Sequence, residues 1–128
     1  MLLIDSSAVV KFFSKEPGWE NVREHIAEAL TIHLAIIELS SALSKKFLKG
    51  EIEENTALEI LEEYSEKAIL LDERSYINSA FKLSTSKNIT IYDSFFIAAA
   101  LQEGCALVSC DEKQIKVAKA LGIKVVNC

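Results

Sequence analysis

The 128-residue sequence predicts an α/β domain built on a central parallel sheet, on three observations. Apolar runs of about four residues recur along the chain. Segments of helical length separate them, an alternation that favours parallel strands joined by helical crossovers. Each of the four Asp residues closely follows an apolar stretch.

Leu2-Leu3-Ile4 reads as a buried strand ending at Asp5. Ser6-Ser7 can cap a helix beginning near Ala8, and Pro17-Gly18 breaks the chain. A second helix is expected over 19–29 and a short strand over 30–33. Residues 35–48 carry a helical pattern stopped by Gly50, and 51–67 form a second long amphipathic helix with Leu58, Leu61 and Tyr64 facing inward. The pair makes an αα-hairpin turning at Lys49-Gly50. A strand over 68–71 ends at Asp72. Helices follow at 73–86 and 94–103, the latter closed by Gly104. Ala106-Leu107-Val108 is a strand ending near Asp111, 112–121 a helix closed by Gly122, and 123–126 the final strand.

This length fits one domain over 1–128, since domains commonly run to roughly 100–150 residues. Half of the residues are apolar, with four glycines, one proline and no low-complexity tract, which excludes a disordered chain or a flexible linker. Met1 leads straight into apolar residues without the basic region of a signal peptide. The longest apolar run, 95–101, is far short of the ~20 residues of a membrane span. A soluble, cytoplasmic protein is expected. Cys105, Cys110 and Cys128 lack metal-ligand spacing, and their apolar or terminal settings suggest buried or idle thiols in a reducing compartment.

Net charge is −5, which on its face opposes a nucleic-acid partner. Distribution matters more than the sum. Fifteen of the nineteen acids are Glu, crowded into segments such as 51–66; the four Asp are Asp5, Asp72, Asp93 and Asp111. In parallel sheets ligands bind beyond the carboxyl ends of the strands, near a topological switch point. Asp5 and Asp111 follow two such ends.

Asp5, Asp93 and Asp111 each have a plainer explanation, as helix caps. Asp5 can cap the helix after it. Asp93 follows Thr90 in a Thr-x-x-Asp helix start, and Glu112 follows Ser109 in a Ser-x-x-Glu one. Glu38 resists that reading, because it sits in Ala-Ile-Ile-Glu-Leu-Ser-Ser-Ala-Leu, among apolar and small neighbours. Its own stripe is small nearby (Ser41, Ala42) and basic farther on (Lys45, Lys49). A carboxylate in such surroundings must find a cation or shift its pKa. Taken together, Asp5, Glu38, Asp93 and Asp111 form a hard-oxygen set suited to Mg²⁺ or Mn²⁺. Such an ion can activate water and stabilise a phosphate under displacement. Ser7 and Ser109, each two residues from an Asp, can hydrogen-bond those carboxylates or a bound water, or serve as helix caps.

Leu-Ile-Asp-Ser-Ser near the start, Ile-Ile-Glu-Leu, Ile-Thr-Ile-Tyr-Asp-Ser-Phe-Phe-Ile-Ala-Ala-Ala and Leu-Val-Ser-Cys-Asp form an ordered set spanning essentially the whole chain. That set resembles a PIN domain, closest to the stand-alone VapC-type toxin ribonucleases of toxin–antitoxin pairs. The resemblance implies a three-layer fold, a central parallel sheet flanked by helices, with acids at its carboxyl edge binding one or two Mg²⁺ or Mn²⁺ for RNA hydrolysis. Asp5, Glu38 and Asp93 match the family's metal positions, Asp111 the fourth acidic position and Ser7 the small hydroxyl residue after the first Asp. Ser109 stands where Thr is common. The family also implies a homodimer and a small antitoxin partner.

Lys11, Lys15, Lys45, Lys46, Lys49, Lys113 and Lys116 lie on elements adjoining the expected site, as phosphate contacts or as ordinary solvated lysines. His25 and His33 are too scattered for a His-based site. Trp19, Phe12, Phe13, Phe95 and Phe96 read as core or dimer contacts rather than base-stacking platforms. Two rival functions use a similar architecture. A phosphoacceptor receiver would employ Asp72 and Lys124, but it wants an acidic pair after the first strand, where Ser6-Ser7 stand, and it leaves Glu38 unexplained. A catalytically silent binding module would not need all four acids.

Overall fold

The computed structural model describes all 128 residues. Five strands form one all-parallel sheet: β1 (Leu2–Ile4), β2 (Leu30–Ile32), β3 (Ile69–Leu71), β4 (Ala106–Ser109) and β5 (Val125–Asn127), in the spatial order β3-β2-β1-β4-β5. Seven helices connect them: α1 (Ser6–Phe13), α2 (Glu20–Ile26), α3 (His33–Leu48), α4 (Glu54–Lys67), α5 (Ile77–Lys87), α6 (Ile91–Glu103) and α7 (Glu112–Ala120). From β1 the chain steps outward to β2 and β3, then returns across the sheet to β4 and β5. The order reverses between β1 and β4. Right-handed crossovers in the two directions put α1–α4 over one face and α5–α7 over the other, and the close helix–helix packing runs within each group.

Leu3, Ile4, Leu107 and Val108 are completely buried. Their side chains alternate between the two sheet faces, so full burial at consecutive positions requires helices on both sides, and apolar residues at every position are the sequence's means to that. Helix α6 shows the same logic: Phe96, Ile97, Ala98, Ala99 and Ala100 are all buried, giving a helix apolar around its circumference and wedged between α5 and the central strands. Gly104, at φ +67°, ends it in the left-handed conformation, and Cys105 N–H then donates to Ala100 O at 2.9 Å.

Several expected boundaries move, for identifiable reasons. Helix α3 begins at His33 rather than residue 35. Its first amides are capped from outside the helix: Glu73 accepts from Leu34 N–H at 2.8 Å and pairs with His33 Nδ1 at 2.9 Å. The helix expected at 73–86 is a 3₁₀ turn (Glu73–Tyr76) followed by α5, which Asn88 closes at φ +54°. Helix α6 starts three residues early, because Thr90 Oγ1 accepts from Asp93 N–H at 3.1 Å. On α4, Leu58 points outward at 55% exposure, while Ala57 and Tyr64 are buried. The inward stripe is Ala57, Ile60, Leu61 and Tyr64, spaced three, four and seven residues from its first member, and Leu58 lies one residue off it.

The cysteines differ more sharply from expectation. Cys110 and Cys128 are joined in a disulfide, with Cα atoms 4.7 Å apart, tying the loop after β4 to the end of β5. Only Cys105 is a free, buried thiol. The reading of idle thiols in a reducing compartment therefore fails for two of the three; strands paired in register bring together two cysteines that sequence spacing keeps apart. No helix is long and apolar enough to cross a membrane.

Candidate metal centre at the carboxyl edge of the sheet

Asp5 is the first residue after β1, at the point where the strand order reverses. It is completely buried. Its Oδ1 caps α1 by accepting from Ala8 N–H at 3.0 Å, and also accepts from Ser7 Oγ at 2.6 Å. Its other oxygen, Oδ2, is buried with no hydrogen-bond partner. The cap expected of Ser6-Ser7 is thus made by Asp5 itself. Burial disfavours the charged form and pushes its carboxyl up to about 6, helped by the charge of Asp111 and opposed by the nearby hydroxyls of Ser109 and Ser7 and the Ala8 amide.

The serines have other tasks. Ser7 Oγ accepts from Cys110 N–H at 3.0 Å and lies 3.5 Å from Ser109 Oγ. Ser109, fully buried, accepts from Asp111 N–H at 3.1 Å. This hydroxyl chain joins the ends of β1 and β4, fixing the loop that carries Asp111 to the loop that carries Asp5. The Ser-x-x-Glu cap anticipated at α7 is replaced by Asp111, whose Oδ1 accepts from Gln114 N–H at 3.0 Å.

Glu38 enters from α3, which starts directly after β2. It is half-buried, held by Ser6 Oγ donating to Oε2 at 2.6 Å, while Oε1 is buried and unpartnered. Burial raises its pKa, and the charge of Asp93 raises it further against the lowering effect of the Ser6 bond. Asp93, in the first turn of α6, turns its side chain away from its own helix; Oδ1 accepts from Gln114 Nε2 at 3.2 Å.

Glu38, Asp93 and Asp111 line one polar cleft of about 540 Å³, along with Ser7, Lys11 and Lys45. Asp5 lies beneath it, joined through Ser7. The four acids expected from the sequence therefore converge on one edge of the sheet. They form an open set, with no three acidic side chains grouped as around a held ion. Asp93 and Asp111 each have an oxygen engaged, by a side-chain amide and by a helix amide. The residues nevertheless fit a divalent cation: the unpartnered oxygens of Asp5 and Glu38 are free to accept one, and hard oxygen donors suit Mg²⁺ or Mn²⁺.

Of the lysines, Lys11 and Lys45 line the cleft; Lys49 and Lys113 are exposed outside it. Lys11 Nζ donates to Cys128 O at 2.5 Å. Lys15 lies over the Trp19 ring, 4.2 Å from its centroid. Asp72 sits after the edge strand β3, bonded to Arg74 Nη2 at 2.7 Å and far from the cleft, which removes the acceptor a receiver module would need. Sequence reasoning passed over Glu16 and Gln114, and took Ser6 only as a cap and Ser41 only as a small neighbour of Glu38; all four line the cleft. Gln114 leaves a signal: it occupies a position of the apolar α7 stripe that continues through Val117, Ala118 and Leu121.

A three-layer domain on a parallel sheet, with an acidic cleft where the strand order reverses, is an open α/β architecture of the kind that binds ligands beyond the carboxyl ends of its strands. The PIN domain family model matches residues 2–120, and the chain belongs to that family. It is 29% identical over 118 residues to Ribonuclease VapC3 of Pyrobaculum aerophilum, covering 88% of this chain and 90% of that one. Among solved structures it resembles PAE2754 of the same organism, with TM-score 0.78 and 22% identity over 98% of this chain and 83% of that one. It also resembles VapBC2 from Rickettsia felis, solved bound to a DNA fragment from its promoter, with TM-score 0.70 and 17% identity over 99% and 98%.

Proposed function

We propose that the protein is a metal-dependent endoribonuclease of the VapC type, the toxin of a toxin–antitoxin pair. The observation that carries this reading is the pair of buried, unpartnered carboxylate oxygens, Asp5 Oδ2 and Glu38 Oε1, whose sister oxygens are held by Ser7 and Ser6, at the edge where Asp93 and Asp111 also stand. Family membership and the likeness to a VapC ribonuclease support it.

In this reading Asp5, Glu38, Asp93 and Asp111 hold one or two Mg²⁺ or Mn²⁺. The bound ion supplies Lewis acidity and a more acidic water at the phosphodiester. Ser7 holds Asp5 through Oδ1, leaving Oδ2 for the metal, and Ser6 does the same for Glu38 through Oε2. Ser109 keeps the Asp111 loop against the end of β4. Lys11 and Lys45 meet RNA phosphates on the cleft walls, with Lys49 and Lys113 as outer contacts. Because acids outnumber these cleft lysines, the ion carries much of the positive charge that RNA meets. A homodimer acting in the cytoplasm and restrained by a small antitoxin completes the proposal; the VapBC neighbour supports such a partner.

Incubation of the purified chain with a mixed RNA pool tests it. Cleavage is expected with Mg²⁺ or Mn²⁺, none with EDTA, and none from Asp5→Asn in either condition. Cleavage by the wild type in EDTA, persisting through repeated purification, overturns the mechanism.

A further inference from the structure

Gln114 is a glutamine where α7 presents its apolar stripe, and it is 2% exposed. A buried amide must repay its desolvation through hydrogen bonds. Its Nε2 does so by donating to Asp93 Oδ1 at 3.2 Å. The reverse amide orientation would set two acceptors against each other, so the NH₂ group faces the carboxylate. Its backbone N–H donates at the same time to Asp111 Oδ1 at 3.0 Å. One residue thus joins the acids of α6 and α7, which arrive from chain segments about twenty residues apart. The remaining amide oxygen, Oε1, is buried without a partner at the cleft wall.

We infer that Gln114 is a positioning residue for the metal centre: its side-chain amide fixes the orientation of Asp93, and its free Oε1 is an acceptor for a donor arriving with the ligand. This rests on the metal-dependent reading of the cleft. The chemistry is that of an outer partner steadying a ligating carboxylate, whose removal commonly weakens metal binding by about 10–100-fold. Leu fills the space of Gln at this apolar position while removing both polar atoms. Gln114→Leu should therefore spare the fold and loosen Asp93.

Two measurements on the intact chain decide the matter. The first needs no metal: the Gln114 side-chain amide resonance, assigned in wild type by NMR, should shift clearly in Asp93→Asn. An unmoved resonance shows the hydrogen bond absent and overturns the inference. The second is Mn²⁺ affinity by calorimetry for wild type, Gln114→Leu, Asp93→Asn and the double variant, alongside melting in EDTA. About a tenfold or greater weakening in Gln114→Leu is expected. It should come with an essentially unchanged midpoint in EDTA and no further weakening when added to Asp93→Asn. Wild-type affinity in Gln114→Leu overturns the inference, as does a weakening fully additive to that of Asp93→Asn. Wild type that binds no Mn²⁺ overturns instead the metal-dependent function, while the NMR arm still judges the bond between Gln114 and Asp93.

Discussion

Asp5 is asked to do two opposed things: to cap α1 with one oxygen and to hold an uncompensated charge on the other. Its carboxyl is raised by burial from 3.8 to about 6, so the folded state takes up a proton more readily than the unfolded state does. Stability from this group is accordingly full below pH 3.8 and is lost as pH rises through 6. In EDTA above that range, the buried charge costs at most about 3 kcal/mol. Asn keeps the capping oxygen and carries no charge. Asp5→Asn should therefore melt above wild type in EDTA at pH 7, with the gap closing as pH falls to 4. Mn²⁺ should reverse the order by stabilising only wild type. A gap independent of pH would mean that Asp5 is neutral throughout. That a strand ends at this acid is legible in Leu-Leu-Ile-Asp; that Ser6 serves Glu38 rather than the helix is not, because that bond joins residues 32 positions apart.

Elements bring the acids together in different ways, and this decides what is readable in advance. Asp5 and Asp111 come from strand ends, whose apolar runs are local signals. Glu38 and Asp93 come from helices whose direction depends on packing. Helix α3 begins where it does because Glu73, from beyond β3, caps its first turn. No local pattern announces a cap supplied by another crossover, and the start expected from the sequence falls two residues late. The direction of α3 also sorts its lysines. Lys45 lies two turns beyond Glu38 on the cleft wall, whereas Lys49 follows the helix end outside it. Lys45→Ala should weaken binding of single-stranded RNA and reduce its salt slope by about 0.7, the share of a single neutralised phosphate. Lys49→Ala should leave the slope nearly unchanged. Equal reductions from both, measured by titration across salt concentrations, would extend the RNA track beyond the cleft.

For the whole molecule, the parallel sheet makes the site a product of long-range assembly: β1 and β4 are neighbours in register although more than a hundred residues separate them. The alternation of strands and helices makes this architecture readable, while the disulfide is hidden from the sequence because it depends on the β4–β5 register. Breaking it with Cys128→Ser frees a loop of 18-residue separation, and loop-closure entropy sets the destabilisation at roughly 3 kcal/mol. Denaturant titration of wild type with and without a dithiol reductant should give the same difference, and Cys128→Ser should not respond to the reductant. The bond also has a topological result. Residues 110–128 form a closed covalent ring containing α7 and β5, with Asp111 and Gln114 on its circumference. Should the edge strand β5 peel from the sheet, it remains leashed beside the loop after β4, and the route back is short. A protease that cuts α7 would open the ring without parting the chain, and the two pieces would come apart only when a thiol cleaves the sulfur bridge.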